Sequence, residues 1–147
     1  VTQPDAPHAL AFVIAQAAVG SPTGGLNVIE INNVAVTWQF PNSAPPLQIV
    51  AIVVGGRPGT IYSTKFQLLE GATILGEFRG ADIPFTTQIK RVNIIQNLAE
   101  MNKGEPIIQH EGTYTLRLLI NDQPTADTEF EIRRIPPPPG APQAQQS

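Results

Sequence analysis

The sequence contains no cysteine, and it holds only one methionine, one tryptophan, two tyrosines and two histidines. Without thiols, disulfide scaffolds, thiolate metal sites, cysteine nucleophiles and dithiol redox motifs are excluded. Charge is scarce as well: Asp, Glu, Lys and Arg make up 14% of the chain, where about a quarter is usual. Nine basic against twelve acidic residues leave a net charge of −3, which disfavours nucleic acid and anionic membranes as partners. The only adjacent basic pairs, Lys90-Arg91 and Arg133-Arg134, are too few for a counterion-releasing stripe. Nor is there a long apolar run: residues 9–19 reach about half of the roughly 20 residues that a membrane helix needs, and Gln16 interrupts them. No membrane insertion is expected. Ala15-Gln16-Ala17 imitates a signal-cleavage site, but residues 1–8 lack Lys and Arg and carry Asp5, so secretion is disfavoured. A cytoplasmic or virion- or assembly-associated location is expected.

Fifteen prolines and twelve glycines in 147 residues indicate many turns, and the length fits one domain. Segments rich in Val, Ile, Thr, Phe and Tyr recur between Gly, Pro, Asn and Ser clusters, the spacing of an all-β chain. Strands are predicted over residues 9–19, 26–31, 34–40, 47–54, 60–70 and 73–79. Residues 47–54 are almost continuously apolar, as in a central strand covered on both faces. In residues 60–70, Tyr62, Thr64, Phe66 and Leu68 share one face. Residues 85–98 read as a long strand, with a short helix as the competing reading: Ile94, Ile95, Leu98 and Met101 follow helical spacing, Asn93 is the candidate cap and Gly104 the stop. The clearest hairpin comes last. Tyr114, Leu116, Leu118 and Ile120 form one face, Asn121-Asp122-Gln123-Pro124 turns, and Phe130 and Ile132 face away from Asp127, Glu129 and Glu131.

About seven to nine antiparallel strands, each with one apolar face to bury, predict two packed sheets, a β-sandwich of immunoglobulin-like topology. A closed barrel is the alternative. The predicted organisation is an N-terminal arm (1–8), a sandwich domain (9–134) and an extended Pro/Gln-rich tail (135–147). In the tail, Pro136, Pro137, Pro138, Pro139 and Pro142 favour a polyproline helix, which loses little entropy on docking. They are therefore candidate partner-binding residues.

Three stretches, ALAFVIAQAA leading to GGLNVIEI, VAIVVGGRPGTIYSTKFQLLEGATIL, and HEGTYTLRLLINDQPTADTEFEI, resemble a family of small uncharacterised bacterial immunoglobulin-like β-sandwich proteins, a domain of unknown function. The resemblance spans about residues 9–132, with Gly112-x-Tyr114 as its best marker. It implies a fold and a bacterial or phage source and transfers no functional residue. Residues 97–106 and the tail depart from the family pattern, as local decorations for a partner would.

Catalytic chemistry finds little support. Ser21, Ser43, Ser63 and Ser147 lie in no G-x-S-x-G elbow, and His8 and His110 are the only candidate imidazole bases. An enzyme reading would need a cleft joining His110 to acids on distant strands. His110, Glu111 and nearby Glu105 form the densest ligand-type cluster, short of the three or four well-spaced ligands of a transition-metal site. Asp122 and Asp127 flank the last hairpin without a calcium-loop pattern. Glu129 and Glu131 read as the wet side of a strand rather than a glycosidase pair. Gly55-Gly56-Arg57-Pro58-Gly59-Thr60 lacks the Lys-Ser/Thr ending of a phosphate loop. Trp38, Tyr62, Phe66 and Tyr114 read first as core aromatics.

The function expected is therefore non-enzymatic protein–protein contact, as a structural or accessory (decoration-like) subunit, with no catalytic, cofactor or metal residues. Arg57, Pro58, His110 and Trp38 are candidate loop contacts. The alternative is a small-ligand or carbohydrate-binding module with Trp38 or a loop aromatic as its platform.

Overall fold

A computed structural model describes residues 6–20, 25–31 and 33–140. The predicted turn at Ser21 to Gly24, Asn32 and the tail residue Pro142 lie outside them. The described residues form an all-β fold of three sheets. One is four-stranded, in the order β2 (Leu26–Ile31), β1 (His8–Gly20), β4 (Gln48–Val54), β9 (Arg91–Asn97). A second is five-stranded, in the order β3 (Val34–Thr37), β11 (Gln123–Arg134), β10 (Gly112–Ile120), β6 (Thr64–Glu70), β7 (Thr73–Arg79). A short pair, β5 (Ile61–Tyr62) with β8 (Ile83–Pro84), completes it.

Alternation explains the burial. In β6 the predicted face, Thr64, Phe66 and Leu68, is buried, and in β10 so are Tyr114, Leu116, Leu118 and Ile120. In β4, Ile49, Val50, Ala51 and Val53 are all buried, because its neighbours β1 and β9 and the covering side chains leave neither face to solvent. Apart from Thr64 and Val50, these residues join Ile14, Phe130 and Ile132 in one hydrophobic cluster drawn from both large sheets. Phe66 stacks on Phe12 of β1 at 6.3 Å and on Phe78 of β7 at 5.2 Å. Each such large side chain contributes roughly 1.5–3 kcal/mol by leaving water.

Three predicted elements take a different form, the first of them in two respects. The expectation of purely antiparallel strands fails at β3, which runs parallel to β11, Val34 opposite Glu131 through Thr37 opposite Arg134. The strand predicted over 34–40 stops at Thr37. Its hydroxyl oxygen receives the Gln39 N–H (3.3 Å) and the Asn42 amide (2.9 Å), local bonds that compete with a ladder. The strand over 60–70 breaks at Ser63, whose N–H donates to Asn121 Oδ1 at 2.9 Å and whose carbonyl accepts the Asn121 N–H. Tyr62 consequently pairs with β8, and Thr64 with β10. The long strand over 85–98 begins only at Arg91. Before it, Thr86 Oγ1 accepts the N–H groups of Gln88 and Ile89 and holds a turn.

After β9 a 3-10 segment, Leu98–Gly104, delivers the competing helical reading at its C-terminal end. The helical turn already breaks at Met101 (ψ 124), and Asn102 and Lys103 are left-handed ahead of Gly104 at φ +77; the cap is Asn97 rather than Asn93, accepting the Ala99 N–H at 3.0 Å. Leu98 and Met101 are fully buried and pin it to the core.

The register of β1 has a further consequence. His8 to Ala15 pairs with β4, whereas Ala15 to Gly20 pairs with β2. Beyond the Ala15–Gln48 pair, β1 and β2 continue as a two-stranded ribbon about 17 Å long at ~3.4 Å per residue.

Candidate functional site

The ribbon carries Val19, Val28, Ile29 and Ile31 exposed at 58%, 37%, 56% and 67%. Val28 and Ile29 are sequence neighbours in a strand and point to opposite faces, so apolar side chains meet solvent on both sides. An isolated two-stranded ribbon is marginal in water, and in this one Gln16, Val19, Gly20 and Asn27 to Ile31 are all exposed. It is also almost uncharged: between Ala6 and Gly56 the only Asp, Glu, Lys or Arg is Glu30. Glu30 has φ +53, a kink in the outer strand that roughens its edge against indiscriminate pairing.

The tail leaves the fold beside β3. The Ile135 N–H donates to the Thr37 carbonyl at 2.9 Å, and Arg134 N–H to Glu111 Oε2 at 3.1 Å. From there Pro136 to Pro139 are exposed. A small cleft of about 100 Å³, lined by Val36, Thr37, Pro45, Ile108 and Ile132 among others, opens next to that root.

The four predicted loop contacts do not form one site. Arg57 and Pro58 lie in the exposed β4–β5 loop, at the end of the fold reached by the C-terminus of β10. His110 precedes β10, at the opposite end. Trp38 is half-buried and lines neither this small cleft nor the larger one at the Arg57 end; Tyr62 lines the larger one.

Around His110 the chain builds a polar corner. The Tyr114 hydroxyl donates to the His110 carbonyl, while Tyr114 itself is buried and stacks on Phe130 at 5.9 Å. Burial holds the Tyr114 phenol above its ordinary range, with Glu70 adding to the effect. The hydroxyl is thus a donor throughout neutral pH. His110 Nδ1 donates to the Glu111 carbonyl at 2.9 Å, and Nε2 lies 3.0 Å from Glu70 Oε2. Both nitrogens donate only in the imidazolium, so the Glu111 carbonyl first and the Glu70 charge second raise the His110 pKa above 6.5. Glu70 comes from the distant end of β6, an acid that sequence spacing did not single out. The pair is exposed and lies in neither cavity, and among the described residues no three His, Asp or Glu gather as a metal site.

At the other end, a cleft of about 830 Å³ opens between the N-terminal segment, the β4–β5 loop and the β10–β11 turn. Its polar groups include His8, Arg57, Thr60, Tyr62, Asn121 and Thr125. Two glycines let its walls approach. A Cβ on Gly56 would meet Phe85 at 2.0 Å, and one on Gly55, at φ +83, would meet the Ala6 carbonyl and His8 Nδ1, each at 2.9 Å. Phe85 in turn lies edge-on to Tyr62 at 5.7 Å, whose hydroxyl accepts the Arg57 N–H at 2.9 Å. Sequence reasoning found Arg57 but missed the partners. The available signal was the Asn121-Asp122 turn, whose left-handed residues (φ +48 and +62) aim Asn121 back at Ser63.

No helix among the described residues is long and apolar enough to cross a membrane. No family model matches the chain, and no curated protein does. Among solved structures, the chain is similar to the Pseudomonas fluorescens alkylpurine DNA glycosylase AlkC bound to DNA containing an abasic site analog, at TM-score 0.53 and 10% identity. That match covers 90% of this chain and 31% of the glycosylase, so the chain spans under a third of that protein's length. An immunoglobulin-like protein from Pseudomonas aeruginosa matches at TM-score 0.45 and 11% identity, over 90% of this chain and 100% of that one. At these identities the likeness is one of β-rich fold and extends to no residue of any site.

Proposed function

We propose that the chain is a non-enzymatic immunoglobulin-like β-sandwich acting by protein–protein contact. In this reading it is a structural or accessory, decoration-like subunit of a bacterial or phage assembly, whose Pro-rich tail docks on a neighbour. The sandwich reading is supported by the single core drawn from both sheets and by the Phe12–Phe66 stack between them. A buried tyrosine near the start of the penultimate strand, bonded to a carbonyl four residues upstream, has the arrangement of the tyrosine corner of immunoglobulin-like domains. The proposed domain runs over residues 9–134, with arms at both ends, and the resemblance to the small bacterial family belongs to the same reading.

The observation that carries the contact reading is the β1–β2 ribbon. Its apolar faces gain by leaving water, and burying an uncharged surface avoids the desolvation penalty of ions. The non-enzymatic part is supported by the separation of the two histidines to opposite ends and by the engagement of His110 in structural bonds. Protein is favoured over nucleic acid because Lys65, Arg79, Arg117 and Arg133 each lie within 3.4 Å of a carboxylate. Phosphates would have to displace those partners.

The test is the double substitution Ile29→Glu with Ile31→Glu. Both side chains are exposed, so the melting temperature should stay within a few degrees while association with the assembly weakens. Assembly at unchanged affinity contradicts the reading. A second reading, a small-ligand or carbohydrate-binding module, is favoured by one observation, the cleft at the β10–β11 turn.

A further inference from the structure

We infer that the outer face of the four-stranded sheet, β2-β1-β4-β9, is a two-fold interface with a second copy of this chain. The inference rests on the contact reading and names the partner of the sheet face that the ribbon continues. In an antiparallel sandwich the outward residues of each strand are ordinarily polar. The five-stranded sheet keeps that rule. Glu77, Gln67, Arg117 and Asp127 lie in one row across four of its strands, and Arg117 Nε donates to Asp127 Oδ1 at 2.9 Å.

The four-stranded sheet breaks it. Ile49, Ala51 and Val53 of β4 belong to the shared core, so Val50, Ile52 and Val54 point outward. The register sets Val13 and Ile95 on either side of Val50, and Ala11 and Asn93 on either side of Ile52. Along β1 the same face runs on through Ala15 opposite Ile31, Ala17 opposite Ile29 and Val19 opposite Asn27. Val19, Ile29 and Ile31 are exposed, and Ala11, Val13, Ala17, Ile52 and Ile95 are half-buried. The one Lys, Arg, Asp or Glu in these rows, Arg91, stands opposite Val54 at the end of β9. Every described strand outside this sheet, and the 3-10 segment, sends a side chain into or against the core on the inner side.

A two-fold axis sets one patch against itself, so each charge on the patch meets its own copy. The apolar face meets no such penalty, whereas pairing the other face would take Arg117, Asp127 and their neighbours out of water. Packing the apolar face of one copy on the charged face of the next, which would build an open filament, carries the same cost. Strands of 13, 6, 7 and 7 residues at ~3.3 Å per residue and ~4.8 Å apart cover about 500 Å². Two copies therefore bury about 1,000 Å², the size at which a specific interface begins. A pair at this lower bound is expected to dissociate with a Kd of about 1–100 μM.

The test uses the purified full chain with no other protein present. Sedimentation velocity from about 5 to about 500 μM should show a monomer–dimer equilibrium. Its Kd should change by less than about twofold between about 50 and about 500 mM NaCl, because no ion pair holds the two faces together. In a mixture of isotope-labelled and unlabelled chain, intermolecular methyl NOEs from Ile52 and Ile95 are expected. Ala11→Glu lies outside the ribbon and brings a charge into the interface from both copies, so it should weaken the dimer about a hundredfold. Thr115→Lys, opposite Glu129 on the charged face, should leave it unchanged. A monomer at about 500 μM, growth beyond the dimer, a dimer that salt dissolves, or a folded Ala11→Glu variant that still pairs overturns the inference. So does a dimer without those NOEs, whose presence or absence decides the face independently of how Ala11→Glu folds. The contact reading is decided separately: a purified chain that stays monomeric yet enters a larger particle sinks the second copy alone, and a chain that dimerises but enters no larger particle sinks only the assembly reading.

Discussion

Replacing Tyr114 by Phe removes a single oxygen and tests the polar corner with the least collateral change. The ring is 1% exposed and stacks on Phe130 at 5.9 Å, so Phe preserves the packing and only the bond to the His110 carbonyl is lost. A hydrogen bond of this kind contributes about 0.5–1.5 kcal/mol net. Part of the loss is moderated because the loop carrying His110 is exposed and water can reach the carbonyl. The expected destabilisation is therefore about 1 kcal/mol, a fall in melting temperature of roughly 3–6 °C for a domain between the small and mid-sized classes. Urea denaturation followed by tryptophan fluorescence, with Trp38 as the only reporter, measures it, and the slope should not change. Tyr114→Leu adds loss of the Phe130 stack, about 0.5–1.5 kcal/mol more. If Tyr114→Phe has the stability of the parent, the hydroxyl does not hold this corner, and the chief local argument for the immunoglobulin-like reading is lost.

The His110 pKa lies above 6.5, so His110 contributes stability that is fully present below its unfolded value and is lost as pH rises through the raised folded one. An NMR titration of the ring Cε1–H should show the raised value, lowered but not normalised by Glu70→Gln because the Glu111 carbonyl remains; a midpoint at or below 6.5 in the parent contradicts this. Phe66→Ala should cost about 3–5 kcal/mol, since Phe66 is fully buried between Phe12 and Phe78; a cost under about 1 kcal/mol would mean that the sheets do not share this core. Gly56→Ala should destabilise by about 1–3 kcal/mol, because the new methyl meets the buried Phe85 ring at 2.0 Å; an unaffected melting temperature would show that this wall is not tightly packed. Removing residues 135–147 should leave folding intact and weaken association, and unfolding or unchanged association speaks against a docking tail.

Period-two alternation made β6 and β10 legible from sequence, because their apolar faces are regular and their partners are close along the chain. Residues 47–54 were legible for the opposite reason, since continuous apolarity signals cover on both sides. What alternation misses are places where a side chain outcompetes the ladder. Thr37 ends β3 with its own hydroxyl, Thr86 folds 86–89 into a turn, and Asn121 reaches across 58 residues of chain to interrupt a predicted strand at Ser63. The parallel pairing of β3 with β11 is non-local and leaves no local pattern. Arg57 was legible in the candidate cleft as a charged residue in a glycine loop. His8 and Tyr62 were not, because their roles depend on the close approach allowed by Gly55 and Gly56. The ribbon's alternation was visible, but the register that carries it beyond β4 was not.

Native mass spectrometry of the particle that contains this chain, isolated from its source, tests the contact reading most directly. It should be run on the parent, on Ile29→Glu with Ile31→Glu, and on the chain lacking residues 135–147. The account predicts a multi-subunit particle that loses this chain in both variants while each variant remains folded. A folded monomer in the parent, or a particle that retains both variants undiminished, contradicts it.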